Sequence, residues 1–419
     1  MGFQQGLSGL NASSKSLEVI GNNIANANTY GAKASRAEFA DIYANTLGGS
    51  KNSVGLGVSV AAVAQQFNQG TITSTDNPLD LAINGSGFFE VADASGGVSY
   101  TRNGQFKVDR TGFIVNDQTQ RLMGYPADSS GNIVAGTAQA LQMPTAGITP
   151  QVTSKVDMEL NLDARLGVTL PASGAPINFS DPTTYNNATS QTVYDAKGQS
   201  VALTYYFQKA GTDKWNVYVA ANGTPIKTSG GNPAASTTIT FPSNGGAPTA
   251  PVGTVAIDIP AVTNSVGALT VPISGVALSL SGATQYGSQF GVTNLGQDGY
   301  AAGQLIGVQV EANGIISARY SNGQSKPAGQ LELATFHNPQ GLQPLGGNGW
   351  ARSYASGDPL VGVPGDGNIG VLQAGALEES NVDMTAELVN MITAQRTYQA
   401  NAQTIKTQDQ ILQTIVNLR

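Results

Sequence analysis

Apolar residues follow two different periods along this chain. Near the N-terminus Phe3, Leu7, Leu10, Leu17 and Ile24 fall on alternating four- and three-residue steps, with Ser14 and Gly21 in the intermediate slots. That spacing is the seam of a helix packing against another helix. Near the C-terminus Leu388, Met391, Gln395, Tyr398, Ala402, Ile405, Asp409, Leu412 and Val416 keep the same steps. The stretch from Asn381 to Arg419 contains neither Gly nor Pro. It predicts one helix of about 35 residues, roughly 50 Å long. Asn381 or Asp383 is its candidate N-cap, with Glu387 in the first turns. A seam at each end predicts that the two termini pair with each other and that the material between them projects outward.

The middle of the chain alternates instead. Asp80–Val91 (DLAINGSGFFEV) reads as a strand, a Gly turn and a second strand. Val98–Val108 reads as a hairpin turning at Asn103-Gly104, and Asp109–Val115 adds a turn and a strand. From about residue 143 to residue 299, strand runs at Lys155–Leu162, Gln191–Val193, Val201–Gln208, Trp215–Ala220 and Val276–Leu280 are separated by Gly, Pro, Asn and Ser. Between Lys227 and Asp298 the only charged residue is Asp258. This segment is expected to be an inserted all-β domain with long loops. Gly303–Val310, Gly314–Tyr320 and Gln330–Phe336 then return as strands, expected to complete the sheet begun at residue 71.

The expected fold is mixed and mainly β: paired, coiled-coil-like terminal helices with nested all-β domains. The expected boundaries are an N-terminal helix at 1–30, a connecting segment at 31–70 and the first part of an outer β domain at 71–142. The inserted domain follows at 143–299, the second part of the outer domain at 300–375 and the C-terminal helix at 376–419. A chain of 419 residues is too long for one compact core.

Composition removes several kinds of chemistry. The single His and the absence of Cys exclude a thiol nucleophile, a disulfide framework, a zinc finger and an iron–sulfur site. Charged residues are 11% of the chain, and 20 Lys and Arg against 27 Asp and Glu give a net charge of −7. Such a dispersed, mildly acidic surface does not fit nucleic acid. No run approaches the roughly 18 apolar residues of a membrane span. The start, MGFQQGLSGLNASSKS, lacks the basic and apolar parts of a secretory signal. On that reading alone the chain belongs in the cytoplasm.

Candidate catalytic groups do not assemble into a pattern. His337 stands in TFHNPQG with no G-x-S-x-G elbow in the chain, and reads as a loop histidine. Gly55-Leu56-Gly57 and Gly85-Ser86-Gly87 complete neither G-x-G-x-x-G nor a P-loop. Glu90, Asp93, Asp195 and Asp213 offer carboxylates for a glycosidase pair, but their spacing gives no reason to pair any two. No catalytic, metal or cofactor site is expected.

Longer blocks are more specific. Residues 21–31 read GNNIANANTYG, 78–91 read PLDLAINGSGFFEV and 100–106 read YTRNGQF. The end reads GALEESNVD from Gly375, then ELVNMITAQRTYQANAQTIKTQDQILQTIVNLR. Together these resemble the bacterial flagellar axial proteins of the rod and hook. The terminal blocks are common to that family. Chain length, the large insertion and segments such as Met158–Leu162 and Val193–Gly198 resemble its hook members most closely. Ala32 is a departure, since the family usually carries an aromatic before Lys33. Rivals are the shorter distal rod proteins and, from a different class, secreted all-β carbohydrate-active or adhesive proteins.

The resemblance implies an inner tube built of paired terminal helices, with β domains outside it, in a curved polymer that transmits torque from rod to filament. It also implies export through the flagellar type III apparatus without a cleaved signal, which reverses the cytoplasmic reading. The implied partners are copies of the chain itself, the distal rod and hook–filament junction proteins and, transiently, the hook cap and export apparatus. Neither nucleic acid nor membrane insertion is expected. The candidate subunit-packing seam is Phe3, Leu7, Leu10, Leu17, Ile24, Leu388, Met391, Tyr398, Ile405, Leu412 and Val416. A channel that passes unfolded chains must hold neither charged nor apolar segments. Some of the neutral amides Gln399, Gln403, Gln410 and Gln413 are therefore expected to line it.

Overall fold

A computed structural model describes residues 2–42, 55, 57–169, 176–264 and 266–417. Leu56 of the Gly-Leu-Gly piece, and Leu418 and Arg419 of the expected C-terminal helix, lie outside the described residues. The chain forms two compact units. One comprises Met1–Thr145, Gly307–Arg319 and Ser325–Arg419, and the other comprises Ala146–Ile306 and Tyr320–Gln324. The fold is mainly β with a helix at each end, as the two hydrophobic periods predict.

In the first unit, helix α1 (Gly2–Ala25) is followed by a two-stranded antiparallel ribbon, β1 (Ser35–Ile42) and β2 (Gly57–Gln65). The ribbon lies where the sequence predicts only a connecting segment; its alternation of Val and Ala with polar residues is too weak to stand out. A large sheet then joins strands from both sides of the insertion: Ser325–Leu331 pairs with Arg121–Pro126, and Leu333–Thr335 pairs with Phe88–Ala92. The chain ends in helix α2 (Met384–Asn417). Asp383 is the N-cap, its carboxylate accepting from the backbone N–H of Thr385 at 2.9 Å and of Ala386 at 3.1 Å.

The expected hairpin at Asn103-Gly104 is not formed. Val98–Thr101 pairs with Phe88–Ala92 and with Gly349–Ala351, while Lys107–Val108 pairs with Ile114–Val115. The physical reason is at Gly104, whose carbonyl accepts from Leu81 N–H at 3.0 Å. The Asn-Gly turn is spent on docking Leu81 rather than on closing two neighbouring strands.

Among the described residues the second unit contains two larger sheets and a two-stranded one, Thr228–Ser229 with Asn232–Pro233. One of the larger sheets is built on Ser200–Gly211 between Asn187–Tyr194 and Lys214–Ala221. The other orders Thr254–Ile259, Ile273–Ser279, Lys155–Asn161 and Gly291–Gln297, with one parallel pairing in the middle. Alternating inward residues fill a continuous core around Trp215, Tyr205, Phe207, Met158 and Leu160. Trp215 donates its indole N–H to Gln285 Oε1 at 2.8 Å, and the Gln285 amide in turn donates to Asp213 at 2.9 Å. The buried Asp195 accepts from Lys197, Gln199 and Val271 N–H, each at 2.8 Å. That role is structural, and it removes Asp195 from the candidate carboxylates.

Candidate assembly site: the terminal helix pair

The two helices pack antiparallel, since successive positions on α1 meet decreasing positions on α2. Gly6 lies against Ile405, Gly9 against Asn401, and Asn23 donates to the Glu387 carboxylate at 3.1 Å. A Cβ at Gly6 would sit 2.9 Å from an Ile405 side-chain carbon, so the small residue is what permits this approach. Gly6, Ala12, Ser13, Val19, Ile20 and Asn23 are buried on α1. A groove of about 750 Å³ runs between α1, α2 and the ribbon, lined among others by Ala12, Val19, Ile20, Phe39, Val58 and Ala394.

Of the heptad seam, Ile405 takes part in this close contact, against Gly6. Leu10, Leu17, Ile24, Met391 and Ile405 are half-buried, while Phe3, Leu7, Leu388, Tyr398, Leu412 and Val416 are exposed. Exposure reaches 47% at Leu388, 51% at Leu412 and 72% at Val416, which leaves these side chains without a full apolar partner inside the subunit. Register explains part of this exposure: Leu412 and Val416 lie on the same side of α2 as Ile405 and Asn401, but with Gly6 already against Ile405 they run past the start of α1 at Gly2. On α2, Gln399, Gln403 and Gln410 share a face with Arg396 and Lys406, on the far side from Ile405 and Asn401. All five are exposed, as is Gln413, whose amide donates to Asp409 at 2.9 Å.

The polar residues at the base of the pair were not singled out by periodicity. Asn23 donates to Ser35 O and accepts from Ser35 N–H, both at 2.8 Å, tying α1 to the ribbon. Asn381, the alternative N-cap, instead accepts from Ala34 N–H at 2.7 Å and donates to Gln66 O at 2.8 Å. The sequence signal of Asn23 is membership in the GNNIANANTYG block, and that of Asn381 is membership in GALEESNVD and its place as an N-cap candidate. Elsewhere, His337 is an exposed loop residue, and among the described residues no three His, Asp or Glu side chains form a metal-binding cluster. No described helix is long and apolar enough to cross a membrane.

Four family profiles match successive parts of the chain. Residues 3–33 match the flagella basal body rod protein family, and 82–180 match the flagellar hook protein FlgE/F/G D1 domain. Residues 161–300 match the flagellar basal body protein FlaE D2 domain, and 373–418 match the flagellar basal body rod FlgEFG protein C-terminal family. The flagellar hook protein FlgE of Salmonella typhimurium is 42% identical over 424 residues, covering 100% of both chains.

The chain belongs to the flagellar hook protein family.

The hook protein of Rhizobium meliloti is 33% identical, covering 100% of this chain and 98% of its own. The crystal structure of Helicobacter pylori flagellar hook protein FlgE2 shares the fold, with a TM-score of 0.53 at 14% identity over 73% of this chain and 100% of that one. This chain is accordingly a structural subunit of the bacterial flagellar hook, placed there in an assembly of its own copies.

Proposed function

We propose that the chain builds a curved helical tube that works as a universal joint, carrying torque from rod to filament while exported chains pass through its channel. The observation that carries this reading is the row of seam residues left exposed on a helix pair in which no described residue of α2 is buried. Neighbouring copies complete it through Phe3, Leu7, Leu388, Tyr398, Leu412 and Val416, with Leu10, Leu17, Ile24, Met391 and Ile405 behind them. Such contacts are heterologous, the kind that builds open filaments. The six-part division into terminal helices, connecting segment, divided outer domain and inserted domain describes how such a subunit is organised from tube to surface.

At its ends the tube meets the distal rod and the hook–filament junction proteins, and the hook cap and type III export apparatus act on it transiently. The protein reaches the outside of the cell without a cleaved signal and carries no catalytic activity. Gln399, Gln403 and Gln410 face the channel, with Gln413 at its edge. Arg396 and Lys406 share their face, so the lining is amide-rich but not neutral. Electron microscopy of the purified protein under polymerising conditions tests the reading. Wild type forms tubes, and Leu388→Ser and Leu412→Ser stay monomeric. Tubes of normal length from both variants would refute the seam.

A further inference from the structure

The two sequence blocks at the base of the helices meet in one place. Glu378, in the strand Ala376–Glu378, is buried and carries two cations on its two oxygens. Lys33 Nζ lies 2.6 Å from Oε1 and Arg102 Nη1 lies 3.0 Å from Oε2. All three side chains are almost wholly shielded from solvent, with exposures of 0%, 5% and 0% for Lys33, Arg102 and Glu378. Each charged group is also tied to backbone. Lys33 donates to Asn68 O at 2.8 Å, Arg102 donates to Gly85 O at 2.8 Å, and Glu378 Oε1 accepts from Gly70 N–H at 2.9 Å. Gly31 N–H donates to Glu378 O at 2.8 Å. Gly31 itself has φ +70, and a Cβ there would lie 2.5 Å from Asn103 N, so the chain can cross Arg102 only as glycine.

Three distant segments thus converge on one carboxylate: the link after α1, the turn at Arg102 and the strand that leads into α2. We propose that Glu378 is the positioning residue of a two-cation latch that fixes both terminal helices to the β body, and that the latch closes only when the C-terminal strand arrives to supply the anion. Without that strand the site holds two cations and no counter-charge, and the segments carrying them repel. Burial holds the Lys33 ammonium below the usual lysine range, with Arg102 adding to the push and Glu378 opposing it. In a torque-bearing tube, the load between helices and β body would pass through this latch. That last clause rests on the proposed function, whereas the latch is testable in the monomer.

The electrostatic character gives a sign that ordinary packing does not. Glu378→Gln keeps the shape but strands two buried cations against each other. Lys33→Met alone leaves a balanced Glu378–Arg102 pair. The double variant leaves a single cation beside an amide, and so relieves part of the strain. Hydrogen exchange on the full-length monomer, read on peptides spanning residues 28–36, 66–72 and 375–383, should show about tenfold or faster exchange in Glu378→Gln. Lys33→Met should stay within about threefold of wild type. The double variant should fall between the two, while peptides covering Phe88–Ala92 and Arg121–Pro126 stay unchanged. A double variant as fast as or faster than Glu378→Gln, or a Glu378→Gln protein indistinguishable from wild type, overturns the latch. If Glu378→Gln fails to fold, folding restored by adding Lys33→Met supports it and continued failure overturns it.

Discussion

The core of the inserted unit and the terminal helix pair are built on opposite principles. Trp215, Tyr205 and Phe207 have no exposed surface; the Trp215 indole N–H is satisfied by Gln285, which in turn donates to Asp213, and the Tyr205 hydroxyl is buried without a hydrogen-bond partner. On the helix pair the closest contacts are Gly6, Gly9 and Asn23, while Leu388, Leu412 and Val416 stay exposed. The first region is complete within one chain. The second has spent its small residues on internal contact and kept its large apolar ones outside. A region that leaves its best hydrophobic surface unburied is, in our proposal, one whose stability is supplied by neighbours.

The largest effect that separates the two regions is a cavity in the core. Trp215→Ala should destabilise the inserted unit by about 3–5 kcal/mol, seen as an early step in thermal melting by near-ultraviolet circular dichroism. Helical signal and tube formation should persist below that transition. Loss of tube formation in a protein whose inserted unit alone has melted would mean that the helices depend on it.

A smaller, pH-dependent effect belongs to the sheet of the first unit. The register that pairs Leu333 with Phe89 places Glu332 opposite Glu90, and like charges directly opposite are unfavourable. Burial, and then Glu332, pushes Glu90 up to about 7. Burial raises Glu332 as well, and its Oε1 has no hydrogen-bond partner. Tyr100 and Tyr125 flank the pair, with Arg352 and Asp358 acting on Tyr100. A carboxyl raised on folding gives stability that is present below its unfolded value and lost as pH climbs through its folded one. The melting temperature of this unit should therefore fall between about pH 5 and pH 8. Glu90→Gln should flatten that dependence, and an equally steep profile in the variant would discard Glu90 as its source.

The smallest effect on the monomer is predicted where the largest effect on assembly lies. Leu412→Ala and Val416→Ala should each change monomer stability by no more than about 0.5 kcal/mol, as exposed substitutions do. Both should nevertheless raise the protein concentration needed for tube formation. A monomer destabilised as strongly as by Trp215→Ala would place these side chains in an internal core.

Where a pattern had one period and no competitor, the sequence was readable. The Gly- and Pro-free run after Asn381 becomes α2, and the alternating runs at Lys155–Leu162 and Val201–Gln208 become strands Lys155–Asn161 and Ser200–Gly211. What escaped was set by long-range contact. Asn103-Gly104 has every local feature of a hairpin, yet it is claimed by Leu81, which local chemistry does not reveal. The ribbon β1–β2 lies in a weakly patterned segment between α1 and the first strands of the β domain. In the helix pair, heptad spacing identified the helices and, in Ile405, one residue of the contact, but not the small residues Gly6 and Gly9 that decide how closely the backbones approach. The joint at Glu378 was invisible for a different reason: Lys33, Arg102 and Glu378 are ordinary charged residues until the fold removes them from water.

Hydrogen exchange along Leu388–Val416, measured on the monomer and on the assembled tube, tests the central contrast most directly. In the monomer these amides should exchange far faster than those of Ser200–Gly211 and Lys214–Ala221, because a helix with its apolar seam exposed opens easily. In the tube they should become protected to the level of those core strands, which themselves should not change. Full protection of Leu388–Val416 in the monomer, or none gained in the tube, would contradict the claim that neighbouring subunits finish the helix pair.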